Sequence, residues 1–227
     1  MAKSPKFNID LAFQRLEPVV SKLAAPVIEF VALQNNDPFR ILIATILSAR
    51  TTDQITTRVI EKLFNHVKDF ESLQELSITE IEKLIYPVGF YRQKAKQLQK
   101  LPLVIKEQFQ GKIPEEIDDL IKLPGVGRKT ANLVRGVAFS KPAICVDTHV
   151  HRITNRWGYL KTKTPAETEN VLREILPNQY WLKINSYLVA FGQKICRPVN
   201  PKCGECPLND FCPRLQVKSK SNKINTI

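Results

Sequence analysis

Apolar positions recur with helical spacing almost from end to end of the chain. PFRILIATILS, Pro38 to Ser48, is apolar nearly all round, which predicts a helix buried on every side. DQITTRVIEKLF then sets Ile55, Val59, Leu63 and Phe64 on one stripe. Ser77 with Glu80 and Thr164 with Glu167 have the spacing of capping boxes, the second followed by Pro165 in a first-turn position, and each precedes an apolar-periodic run. Further helices are predicted at about Tyr91 to Phe109, Pro114 to Lys122, Lys129 to Ala138, Thr148 to Trp157 and Tyr180 to Ile195. No segment alternates in the manner of a strand. The expected fold is all-α, with about ten helices and short connections.

Composition and charge narrow the class. With 227 residues, 43% of them hydrophobic, the chain can bury the core of one large domain or two modest ones. Its 34 Lys and Arg against 22 Asp and Glu leave a net charge of +12, which favours an anionic partner, nucleic acid before membrane surface. No run approaches the roughly 20 apolar residues of a spanning helix, and MAKSPKFNID has no signal-peptide stretch, so an intracellular protein without a membrane partner is expected. The tail PRLQVKSKSNKINTI carries Lys218, Lys220 and Lys223 without an acidic residue and is expected to be mobile.

The stretch LPGVGRKTAN, Leu123 to Asn132, places two glycines just before Arg128, Lys129 and Thr130. It is not a P-loop, which needs four residues between its first glycine and a Gly-Lys-Ser/Thr tripeptide. In context it joins two predicted helices, the pattern of a helix-hairpin-helix. Glycine permits positive φ and close approach of another chain, and the amides of the turn and helix start can then face a nucleic-acid phosphate without reading sequence. An ordinary αα-hairpin uses glycine equally well.

Four of the five cysteines fall within CRPVNPKCGECPLNDFC, Cys196 to Cys212, and in a reducing compartment that clustering points to a metal or cluster site. Ligand chemistry alone leaves two readings, a tetrahedral zinc site or a ferredoxin-like cluster run with its Cys-Pro pairs. Cys145, apart in PAICV, reads as a small buried apolar side chain.

Together, LPGVGRKTAN, then VDTHVHRITNR, then the spacing Cys-x6-Cys-x2-Cys-x5-Cys resemble endonuclease III of the helix-hairpin-helix DNA glycosylase superfamily, over about Pro38 to Cys212. The resemblance implies a two-domain fold. Residues 31–141 would form a six-helix barrel domain containing the hairpin, residues 1–30 with 142–215 a helical domain bearing one 4Fe-4S cluster on Cys196, Cys203, Cys206 and Cys212, and residues 216–227 a basic tail. It also implies a bifunctional DNA glycosylase and AP lyase of base excision repair, acting as a monomer on double-stranded DNA with a damaged pyrimidine or an abasic site, in the cytoplasm at the nucleoid.

By the same resemblance Lys129 is the nucleophile and Asp147 its carboxylate partner across a cleft. The chemistry suits the residue types: breaking an N-glycosidic bond develops positive charge on the sugar, which a nucleophile and a nearby carboxylate serve. An amine further gives a Schiff base that permits β-elimination of the 3′-phosphate, which water or a hydroxyl cannot. Asp147 also fits the N-cap of the next helix, and the two roles are compatible. His149, His151 and Arg152 read as packing or phosphate contacts. Leu123, Pro124, Gly125, Val126, Gly127 and Arg128 would hold the DNA backbone, with Arg197 and Lys202 pressing on it from the first cysteine loop. Arg50 in LSARTTD and Phe90 in VGFYRQK match the positions of the residues that fill the gap left by an extruded base. The family commonly has glutamine at the first of these, so Arg50 is a departure bearing on opposite-base preference. A monofunctional mismatch glycosylase, a non-enzymatic helix-hairpin-helix module and an electron-transfer protein are the rival readings. Lys129 speaks against the first, Asp147 against the second and the net charge against the third.

Overall fold

The computed structural model describes residues 7–22, 27–34 and 36–217, and these form twelve α-helices and no strand. In order they are α1 (Ile9–Val20), α2 (Val27–Gln34), α3 (Pro38–Ser48), α4 (Asp53–Phe64), α5 (Phe70–Gln74), α6 (Ile78–Ile85), α7 (Tyr91–Phe109), α8 (Ile117–Leu120), α9 (Arg128–Phe139), α10 (Thr148–Arg156), α11 (Pro165–Ile175) and α12 (Lys183–Lys194). Among the described residues no helix is long and apolar enough to cross a membrane. Lys218, Lys220 and Lys223 lie outside the described residues.

The chain divides into two units. One comprises Ala24–Cys145 and Ile175–Ser186 and holds α2 to α9. The other comprises Met1–Leu23, Val146–Glu174 and Tyr187–Ile227, and so joins α1 and α10 to the cysteine loop.

At the centre of the first unit α3 is buried without a break from Ile41 to Leu47, as its all-round apolar sequence requires, and it packs against α2, α4, α7 and α9. Asp37 starts it, accepting from the Phe39 N–H at 3.0 Å with Pro38 at the first position. The Ser77–Glu80 capping box forms in full at α6. At α11 only half of the expected box forms: the Glu167 N–H reaches Thr164 Oγ1 at 3.2 Å, but the Glu167 carboxylate turns to the Lys163 N–H at 2.8 Å instead. The helix expected over Pro114 to Lys122 shrinks to Ile117–Leu120, because the chain closes into i→i+3 bonds at Lys122 and Leu123. Likewise Asn178–Tyr180 is a separate 3₁₀ turn before α12.

One buried cation fixes the end of α3. Lys94 shares a face of α7 with Leu98, Leu101 and Ile105 and is 6% exposed. Its ammonium donates to the carbonyls of Leu47 (2.8 Å) and Ala49 (2.5 Å) and reaches Thr51 Oγ1 at 3.4 Å. Those carbonyls have no intrahelical donor, and a cation at this end also complements the helix dipole. Beyond them Arg50 is left-handed at φ 55°, and Gly89 lies so close to the Arg50 carbonyl that a Cβ would not fit.

Burial pushes the Lys94 pKa down to about 8. Lys94→Met should strand the buried Leu47 carbonyl at about 1–3 kcal/mol, lowering the melting temperature by roughly 2–12 °C, while the carbonyl of exposed Ala49 keeps Thr51 Oγ1 at 3.4 Å. Between about pH 8 and the unfolded value near 10.4 the unfolded chain binds more protons than the folded one, so the Lys94 contribution raises stability as pH climbs through that window. Melting curves of the parent and Lys94→Met across it should show that rise only in the parent.

Candidate active site

The hairpin turn follows α8 and is anchored from inside. Leu123 and Val126 are buried, and the Val126 N–H closes onto the Leu123 carbonyl at 3.1 Å. What these two residues can offer a phosphate is therefore backbone, not side chain. Gly125 has φ 82°, and a Cβ there would press on Gln97 and Ile46. Gly127 caps α9 with open space where a side chain would stand, and the first bond of that helix runs from the Ala131 N–H to the Gly127 carbonyl at 2.8 Å. The amides ahead of Ala131 consequently point out of the helix end, beside exposed Arg128 and Lys129.

Lys129 stands in the first turn of α9, in the unit of residues Ala24–Cys145. Cys145 is buried beneath it, its thiol 3.8 Å from the Lys129 carbonyl, as expected of a packing residue. An acid missed in the sequence also lies in range: the Asp53 carboxyl, at the start of α4, is pushed up by desolvation and drawn down by the Val27 N–H and the charge of Lys129. Its place just after the LSAR turn was the only available signal.

Asp147 belongs to the other unit, where it is the N-cap of α10 and accepts from the N–H groups of His149 (2.8 Å) and Val150 (3.0 Å) through Oδ1. His151 and Arg152 are engaged in packing: His151 Nδ1 lies 2.7 Å from Thr168 Oγ1, and Arg152 donates to the Cys196 carbonyl at 3.0 Å.

Arg50 and Phe90, forty residues apart in the chain, are brought together. The Arg50 guanidinium lies over the Phe90 ring, 5.4 Å from its centroid, and both side chains are exposed. With Gln93, Lys94, Gln97 and Gly125 they line one pocket, so the hairpin glycine and the two extrusion-gap residues share a surface. Phe90 too is left-handed, at φ 58°.

In the second unit Cys196, Cys203, Cys206 and Cys212 line a single recess walled by Arg156, Trp157 and Phe191. The donor set suits a metal group. Arg156, buried in α10, donates to Cys196 Sγ at 3.5 Å, and the Leu208 N–H to Cys206 Sγ at 3.5 Å, both favouring thiolate sulfur. Burial and the charges of the neighbouring cysteines push the Cys206 thiol up to about 11, so the four can be thiolates together only with cationic metal among the sulfurs. Arg156 also ties down the loop, donating to the carbonyls of Arg197 (2.7 Å) and Pro198 (2.8 Å). Arg197 and Lys202 are exposed at the loop's rim, engaged with the Asn200 carbonyl (3.0 Å) and Glu205 (3.0 Å).

A basic helical hairpin and a four-thiol recess together define a DNA-repair class. Residues 43–178 match the HhH-GPD superfamily of base excision DNA repair proteins, and residues 196–212 match the iron-sulfur binding domain of endonuclease III. Endonuclease III of Thermotoga maritima is 44% identical over 192 residues, 85% of this chain and 90% of that protein. Endonuclease III of Bacillus subtilis is 40% identical over 193 residues, 85% and 88% of the two chains. The solved structure of a trapped endonuclease III–DNA covalent intermediate with an estranged adenine is similar with a TM-score of 0.82 at 33% identity, over 93% of this chain and 97% of that one. The chain belongs to the endonuclease III family. It is a base excision repair DNA glycosylase and AP lyase for oxidised pyrimidines, with one 4Fe-4S cluster.

Arg156→Met should release the loop around the recess and weaken retention of the metal group by roughly 10–100-fold. Iron and sulfide content and visible absorption of the purified variant check this, with loss toward zero expected.

Proposed function

We propose that Lys129 is the amine that attacks the sugar and Asp147 the carboxylate that supports the attack. Lys129 Nζ adds to C1′ as the N-glycosidic bond breaks, and the base departs with the bonding electrons and a proton. The ring then opens to a protonated Schiff base, loss of a C2′ proton expels the 3′-phosphate, and water returns the amine. Asp147 balances the positive charge developing on the sugar and relays protons. The observation that carries this reading is Lys129 itself, exposed on the first turn of α9 immediately after a turn whose amides suit a phosphate.

Leu123 to Gly127 would hold the DNA backbone through amides, and Arg128 through its charge. Cys196, Cys203, Cys206 and Cys212 would hold the 4Fe-4S cluster, which when bound supplies a rigid four-thiolate cross-link, leaving Arg197 and Lys202 to meet the DNA backbone. Arg50 and Phe90 would fill the gap in the duplex. We read residues 31–141 as the barrel domain and 1–30 with 142–215 as the cluster domain, the protein acting as a monomer at the nucleoid.

Lys129→Gln should reduce borohydride-trapped adduct on an abasic duplex at least about a thousandfold, and trapping at the parent's level would overturn the assignment. Asp147→Asn separates capping from catalysis, because asparagine caps as well as aspartate. Thermal melting should stay close to the parent's while base excision falls by roughly a hundredfold; an unchanged excision rate would leave Asp147 a cap and nothing more.

A further inference from the structure

The Arg50–Phe90 pair and the hairpin turn stand at two ends of one stretch of α7. Phe90 caps the start of that helix, and Gln97, seven residues on, lies where a Cβ on Gly125 would press against its Oε1. Seven helical residues rise about 10 Å. Gln93 and Gln97 line the same pocket as Arg50, Phe90 and Gly125, so the edge of α7 that carries them borders it. Residues three apart are neighbours on a helix surface, which sets Lys96 beside Gln93 and Lys100 beside Gln97. Both lysines are exposed.

The charges of α7 are sorted along its length. Arg92, Lys94, Lys96 and Lys100 all precede its one acid, Glu107 in the last turn. Lys94 turns inward to the carbonyls of Leu47 and Ala49, and the Arg92 guanidinium lies over the Tyr91 ring. Lys96 and Lys100 are not engaged in either way. Among the described residues neither has a carboxylate, a carbonyl or a ring as its partner, whereas Lys122, Lys141 and Lys202 each hold a carboxylate. Arg92, Lys96 and Lys100 also recur every four residues, about 6 Å apart along the axis. Like charges at that spacing weaken a helix, so the stripe works against the fold until an anion meets it.

We propose that Lys96 and Lys100 hold the sugar–phosphate backbone of the duplex between the extrusion gap and the phosphate gripped by the hairpin. This rests on the reading that the hairpin turn, Arg50 and Phe90 face DNA. The contact is blind to base sequence, because an ammonium on a phosphate reads charge alone. Each phosphate so neutralised releases counterions and steepens the fall of log K with log salt by about 0.9. The experiment measures binding over a series of salt concentrations, to an undamaged duplex and to the same duplex with an uncleavable abasic analogue. It compares the full protein with Lys96→Gln, Lys100→Gln, the double glutamine variant, the double arginine variant and Lys106→Gln. Lys106 is an exposed lysine nine residues after Gln97, hence on the opposite side of α7, and controls for net charge.

Each single glutamine variant should flatten the salt slope by about 0.9 and the double variant by about 1.8, on both duplexes, with affinity at low salt down about tenfold per lysine. The double arginine variant and Lys106→Gln should keep the parent's slope. Thermal melting of the double glutamine variant should hold at or above the parent's, because a like-charged pair is gone, and this separates lost contact from lost fold. A parental slope in the double glutamine variant overturns the proposal, and so does an equal flattening by Lys106→Gln. Arg128→Gln distinguishes that failure from failure of the underlying reading. If Arg128→Gln flattens the slope and the α7 variants do not, the α7 contact alone is overturned; if none of them does, the assignment of this face to DNA falls with it.

Discussion

The ammonium of Lys94, sunk beneath the end of α3, is the constraint on which one edge of its unit depends. An unpaired buried charge costs several kcal/mol or more, and here the partners are two main-chain carbonyls and a hydroxyl. The Leu47 carbonyl is one that α3 leaves without a donor and Ala49 is the cap that follows the helix, so each side answers a need of the other. The result is a turn at residues 49–51 held closely enough that Gly89 must lack a side chain. Arg50 lies within that turn and Phe90 follows Gly89 directly, both left-handed and exposed.

The cysteine loop is organised on the same logic with the charges inverted. Four thiols gathered in one recess repel one another once ionised, and Arg156, reaching from α10, supplies a cation at Cys196 while satisfying the carbonyls of Arg197 and Pro198. A buried side chain thus sets the path of the backbone between the first two cysteines.

Local features were legible in the sequence, and long-range ones were not. The all-round apolar α3, the Ser77–Glu80 box, the Gly-Val-Gly turn and the cysteine spacing are each written within a few residues, so spacing alone exposes them. Lys94 shows why others escaped: periodicity places it on the buried face with Leu98 and Leu101, but lysine is read as solvent-facing unless its acceptors, 43 to 47 residues away, are known. Arg156 and Asp53 likewise depend on partners distant in the chain. The shortening of α8 and the turning of Glu167 to Lys163 are choices between nearly equivalent local hydrogen bonds, which no side-chain pattern decides.

In the unit that carries the cysteines, Arg15 of α1 grips Asp210 at 2.6 Å and lies over the ring of Phe211, while Phe7 stacks on Trp157 at 5.0 Å. The Arg15–Asp210 pair joins residues 195 positions apart. During synthesis the partner of α1 is made last, whereas every residue of α2 to α9 has left the ribosome long before. The unit with Lys129 can thus be shaped on the nascent chain, but α1 must wait for its seat. Chains interrupted before Asp210 carry the amine-bearing hairpin and no completed metal-binding unit.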